Sequence, residues 1–117
     1  MHQFKELLVW QKSRELVKVV YELTFGFPKA ETYGLISQIQ GSAISIPSNI
    51  AEGAGKTSSK DFLRFLDIAY SSSCELETQI ILSSDLGFIS SEKFEEVSIA
   101  IHEIQKMLYG LIQKLKK

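Results

Sequence analysis

The run from Ser91 to Leu115 constrains this chain most. Phe94, Val97, Ile101, Ile104, Leu108, Leu111 and Leu115 recur at alternating spacings of three and four. That is the a/d stripe of an α-helix packed on other helices. Ser90 or Ser91 supplies an N-cap, Glu92, Glu95 and Glu96 follow in the first turns, and Lys114, Lys116 and Lys117 close the run, as the helix dipole favours. The chain supplies three more segments of helical periodicity and none that reads as strand. In "KTSSKDF", Ser58 and Asp61 form an acidic capping signal. Phe62, Phe65, Leu66, Ala69, Ser73, Leu76 and Ile80 follow at helical spacing, and Gly87 is the natural C-cap. The middle of this segment is small and polar (Ser71, Ser72, Ser73, Cys74), which lets a neighbouring helix approach closely.

The first segment, Phe4 to Thr24, places Trp10, Val17, Val20, Tyr21 and Thr24 on one side, widened by Leu16 and Leu23, and ends at "GFPKAE". The second starts near Glu31 with Leu35, Ile36, Ile39, Ala43, Ile46 and Ile50 on a common face. It closes at "EGAGK", where Gly53 and Gly55 are expected to break the helix. The expected helices span about 5–25, 31–54, 58–86 and 91–115 of a single domain covering 1–117. Short connections between long helices make neighbours antiparallel, so the predicted fold is all-α, an up-down-up-down four-helix bundle.

Pro47 tests the second segment, because an interior proline costs about 3 kcal/mol. Ile39, Ala43, Ile46 and Ile50 nevertheless stay in phase through it, which predicts one continuous helix kinked at Pro47, with Ser45, Ser48 or water answering the freed carbonyl of Ala43. Ser42, Ser45, Asn49 and Glu52 form a second, polar stripe. Ile44, Pro47 and Ala51 widen the apolar arc on the opposite side beyond what one buried face requires. Two readings follow: a deeply buried central helix, or a helix that also serves a subunit interface. Ser45, Pro47, Asn49 and Glu52 are the candidates for a helix–helix or subunit contact.

No catalytic constellation emerges, and the chain reads as non-enzymatic and cofactor-free. His2 and His102 each lack the glutamate three residues before them that a di-iron bundle needs, and no spacing suits zinc. Glu75 and Glu77 lie about 200° apart on a helix. "GAGKTSS" resembles a phosphate loop only in part, since it lacks the spacing and follows a helix. Cys74, the single cysteine, rules out an internal disulfide and is expected to be a small buried residue; Trp10 is expected in the core or an interface. The N-terminus lacks a signal-peptide pattern, and no apolar run reaches the length of a membrane span, so the expected location is cytoplasmic, with no membrane partner.

The segments "VWQK", "FPKAETYGL", "SIPSNIAEG" and "RFLDIAYSSSCELET" together resemble the 23S rRNA intervening sequence proteins, a bacterial family of four-helix bundles, from Phe4 to about Ile89. That family is similar to the accessory variability determinant of diversity-generating retroelements. The resemblance implies a homo-oligomer, by that likeness a pentamer, with RNA or DNA and a protein such as a reverse transcriptase as partners. Where relatives carry arginine, this chain has Gln40 and Gly41.

Net charge is only −1, but its distribution is uneven. In an up-down-up-down bundle, Lys5, Lys12, Arg14, Lys56, Lys60, Arg64, Lys114, Lys116 and Lys117 gather at one end with Glu6, Glu15, Glu52 and Asp61, about +5. The other end collects Glu22, Glu31, Asp85, Glu92, Glu95 and Glu96 against Lys29 and Lys93, about −4. The nine basic residues are the nucleic-acid-binding candidates, because summed charge steers polyanions. The plainer reading is dipole complementarity at helix ends, which helix 4 fits at both termini. No aromatic residues are interleaved in the manner of a stacking platform. Two functions result: a nucleic-acid-binding oligomer, or a protein-interaction or scaffolding oligomer without a nucleic-acid role.

Overall fold

A computed structural model describes residues 1–117. It contains four α-helices, α1 (Leu8–Thr24), α2 (Leu35–Ala54), α3 (Ser59–Asp85) and α4 (Ser91–Leu115), two short 3-10 turns (Phe4–Glu6 and Lys29–Glu31) and no strand. Each helix packs on its neighbours in sequence, and α1 against α4 closes the square; neither diagonal pair meets. The result is an antiparallel up-down-up-down four-helix bundle, 43 Å along its axis. At one end the His2 N–H donates to the Ala54 carbonyl over 2.8 Å, tying the start of the chain to the end of α2. At the other, the rings of Phe27 and Phe88 meet at 5.5 Å and join the α1–α2 connection to the α3–α4 connection.

The axial core comprises Val20, Ile39, Ala43, Ile46, Ile50, Leu66, Ala69, Leu76, Ile101 and Leu108, all fully buried. The α2 and α3 stripes face it as the sequence predicts. In α1 the stripe is displaced: Val9, Ser13, Leu16, Val20 and Thr24 are buried, whereas Tyr21 is exposed. Ser13 escapes recognition as a core residue because its hydroxyl donates to the Trp10 carbonyl (2.9 Å), which removes the need for water. In α4 the stripe begins in heptad register but ends at buried Ile112, with Leu111 and Leu115 only half-buried. A straight helix drifts about 20° per heptad against a 3.5-residue repeat, so the buried line moves over by one position.

Helix ends follow their local chemistry. Ser58 Oγ accepts the Asp61 N–H and Ser90 Oγ accepts the Lys93 N–H, both at 3.1 Å. Gly87, at φ 79°, closes α3: its N–H reaches the Ser84 carbonyl and that of Phe88 reaches Ser83, the paired bonds of a left-handed C-terminal cap. Helix α1 starts at Leu8 rather than near residue 5, because extended Leu7 separates it from the first 3-10 turn. This bend sets Phe4 edge-on to Trp10 with centroids 5.1 Å apart. Helix α2 starts at Leu35, where the Glu31 carboxylate accepts the Leu35 N–H at 3.3 Å.

Helix α2 runs unbroken through Pro47. Ser45 does not answer the freed Ala43 carbonyl; its hydroxyl lies 2.8 Å from Ser72 Oγ of α3 and accepts from Asn49 Nδ2. Gly53 does not break the helix. It is buried inside α2, and a Cβ there would lie 2.7 Å from Phe65 Cβ and 3.0 Å from Phe62 Cδ1. Glycine at 53 is thus a condition of close α2–α3 packing. Gly55 is the C-cap. Cys74 is exposed, not buried, since it lies about 120° round α3 from the core stripe, beside Gln105 of α4.

Candidate nucleic-acid interface

The corner between α2 and α3 gathers the densest free positive charge. Lys56, in the connection, and Arg64, in the second turn of α3, both lie over the ring of Phe65, at 5.3 and 4.7 Å from its centroid. Phe65 is itself buried, so the ring anchors the cations from beneath. Lys60 is exposed one helical turn before Arg64, on the same side of α3. None of these three makes an ion pair within the chain. Around them, Lys5 lies 6.0 Å from the Phe4 centroid, and Lys114, Lys116 and Lys117 are exposed at the end of α4.

Two of the nine basic candidates leave this end. Lys12 lies 3.9 Å from both Glu15 and Glu103. Glu103 is midway along α4, so Lys12 belongs to the side of the bundle, partly neutralised. Arg14 lies over Trp10 at 5.6 Å and faces a lateral groove between α1 and α2. Chain order alone puts both at the basic end, whereas their depth along the axis puts them on the side of the bundle. Aromatic rings do accompany the cations. They lie under them, and with Phe65 buried they form no open stacking surface.

Among the contact candidates, Ser45 and Asn49 face α3 through the Ser45–Ser72 bond and the Asn49 bonds to Ser45. Glu52 is exposed beyond them. Pro47 points the other way, into the α1–α2 groove. The polar stripe is completed by buried Ser42, whose hydroxyl donates to Gln79 Oε1 at 2.9 Å.

The family model described as 23S rRNA-intervening sequence protein matches residues 5–110. The chain belongs to this family. Among solved structures it is similar to a protein with unknown function from the S23 ribosomal protein family of Bacteroides thetaiotaomicron. The two share 30% identity at a TM-score of 0.82, over 91% of this chain and 96% of the other. No curated protein gives a significant match.

Two features of this 23S rRNA-intervening sequence protein lie outside what sequence reasoning reached. The His2 ring packs on Phe62 at 4.9 Å and joins the basic end; a residue ahead of the first periodic segment carries no signal of this. On the α3–α4 side, Glu77 accepts from Gln105 Nε2 at 3.0 Å and lies 2.7 Å from His102 Nε2. These hydrogen bonds, from His102 first and then Gln105, hold the Glu77 carboxyl below its usual range. No group of three or more histidine, cysteine or acidic side chains is placed to hold a metal ion. No helix is long and apolar enough to cross a membrane.

Proposed function

We propose that this protein is a non-enzymatic, cytoplasmic homo-oligomer that binds nucleic acid through the basic end of its bundle. The observation that carries this reading is the α2–α3 corner, where Lys56, Lys60 and Arg64 converge without carboxylate partners. Unpaired lysine and arginine beside one another contact successive phosphates and release counterions, giving affinity without base readout. An oligomer multiplies such corners on one surface, so a chain of net charge −1 still presents a locally positive face. We extend this reading to a pentamer with a reverse transcriptase as protein partner, as the resemblance in sequence implies.

Fluorescence anisotropy with labelled RNA and DNA across a salt series tests this. The wild type binds at low salt and weakens as salt rises. Lys56→Glu, Lys60→Glu and Arg64→Glu together remove binding, or flatten the dependence of log K on log salt by about 2–3. Negligible low-salt affinity, or an unaltered triple variant, rejects the proposal. The second reading, an interaction or scaffolding oligomer without nucleic acid, is supported by the apolar α1–α2 groove and is then the one retained.

A further inference from the structure

The seam between α1 and α4 holds two cavities in a row, of about 280 and 270 Å³, which share Val19 and Glu96. The first is at the acidic end, between the last turns of α1 and the start of α4, and the second continues it to the middle of α4. Leu16, Val19 and Leu23 of α1 and Val97, Ala100 and Ile104 of α4 form the floor. Val19 and Ala100 are short side chains, so the seam stays hollow between them. Part of this apolar surface is open: Val19 is 40% exposed and Ile99, on the α4 lip, is 62% exposed. The rim is charged. Glu15 and Glu22 stand on α1 and Glu96 and Glu103 on α4, with Lys12 and Lys93 among them. Both lysines are already engaged, Lys93 with Glu96 at 3.4 Å and Lys12 with Glu15 and Glu103 at 3.9 Å, while Glu22 has no ion-pair partner. Four carboxylates against two cations leave the rim negative.

We infer that this trough is a docking site for a basic amphipathic helix of another protein, with its aliphatic face between α1 and α4 and its lysines or arginines beside Glu22, Glu96 and Glu103. A trough between two antiparallel helices accepts a third helix by the same packing of ridges into grooves that builds the bundle. An extended segment gains no main-chain bonds here, because the backbone groups midway along α1 and α4 are spent within their own helices. From Lys93 to Ile104 the trough runs roughly 16 Å, about three turns of a partner helix. A helix so short is marginal alone in water, so the partner segment folds as it binds. The sign of the rim sets the partner's charge. The uncovered flank of α3, where Ile68 lies beside Asp67 and Glu75, has the rim's own sign, so that flank of a second copy does not supply the complement. The inference goes beyond the nucleic-acid reading and is independent of it, since the trough contains none of Lys56, Lys60 and Arg64.

The probe is a fluorescein-labelled synthetic peptide of about 14 residues, with leucine and alanine on one helical face and lysine and arginine on its flanks. It is titrated with the full chain and followed by anisotropy, with circular dichroism to report its helicity. A twin carries glutamate on the flanks, and a third peptide has the first one's composition with the apolar residues scrambled. The basic peptide is expected to bind and become helical, with the other two at least about tenfold weaker. Val19→Asp with Ile99→Asp, both at exposed positions, weakens the basic peptide by at least about tenfold. Glu22→Lys with Glu96→Lys transfers the preference to the acidic twin. Light scattering after gel filtration shows the wild-type mass for both double variants. The inference is overturned if the basic peptide does not bind, if the twin or the scrambled peptide binds equally well, or if neither pair of substitutions alters binding. A changed mass in the variants also overturns it, because the trough is then a contact between copies. None of these outcomes bears on the Lys56, Lys60 and Arg64 corner, which its own triple variant tests.

Discussion

Replacing Gly53 with alanine sets two well-defined effects against each other. Alanine in a helix interior is favoured over glycine by about 1 kcal/mol. The added Cβ, however, meets Phe65 Cβ at 2.7 Å, Phe62 Cδ1 at 3.0 Å and the Phe62 carbonyl oxygen at 3.2 Å. The first and last of these atoms belong to the α3 backbone or sit directly on it, so no rotamer change relieves them. Helices α2 and α3 must part by roughly 1 Å to regain ordinary contact, and a gap of that size forfeits a quarter to a half of the dispersion between facing atoms. Overpacking of this kind costs about 3 kcal/mol at the upper end of its range. The expected net effect is a loss of about 2 kcal/mol. Gly110 is the internal control: it is exposed within α4 with nothing within 4 Å of an added Cβ. Gly110→Ala therefore keeps the propensity gain of about 1 kcal/mol without the clash. Urea denaturation at one fixed protein concentration, read by circular dichroism, separates them: Gly53→Ala moves the midpoint down by about 1 M and Gly110→Ala moves it up, with slopes unchanged. If Gly53→Ala is as stable as the wild type while Gly110→Ala gains, close approach at Gly53 is not what holds α2 against α3.

Two further predictions concern polar contacts between helices. Ser42→Ala leaves Gln79 Oε1 buried without its donor and costs about 1–3 kcal/mol, whereas Ser42→Ala combined with Gln79→Leu costs less than the two single losses added together; urea melts of the four proteins in a double-mutant cycle check this. The Glu77 carboxyl, held below its ordinary range by His102 and Gln105, contributes stability that is full above the unfolded carboxylate pKa and is lost as pH falls through the lowered folded value. The advantage of the wild type over Glu77→Gln should therefore shrink as denaturation is repeated from neutral to strongly acid pH, and an advantage that stays constant across that range contradicts the assignment.

How much of this was legible beforehand differs from residue to residue. The α2 and α3 core faces were readable because Ile39, Ala43, Ile46 and Ile50, and Phe62, Leu66, Ala69 and Leu76, repeat at the helical period and are all buried. The continuity of α2 across Pro47 was readable from the same phase. The α1 face was misjudged by about one position because its core includes Ser13, a polar residue that satisfies itself on its own helix. Gly53 read as a breaker because a glycine near a helix end looks the same whether it caps the helix or lets another backbone approach; only the position of Phe62 and Phe65 separates the cases. Cys74 read as a small buried residue, yet it is exposed with Ser71 while Ser72 and Ser73 between them are buried. The basic end was half legible: Lys56, Lys60 and Arg64 are close in the chain and stay close in space, while Lys12 finds Glu103 on a distant helix.

By itself the sequence determined the number of helices, the caps of α3 and α4, the core faces of α2 and α3 and, through short connections, the antiparallel order. All of these follow from local periodicity and from terminal groups that must be satisfied within a few residues. Tertiary structure alone decided which small residues mark close approach, which cations are paired, and where apolar surface is left without cover in the α1–α2 groove. Those depend on the distance between atoms remote in sequence, and no pattern within one helix records what its neighbour places opposite it.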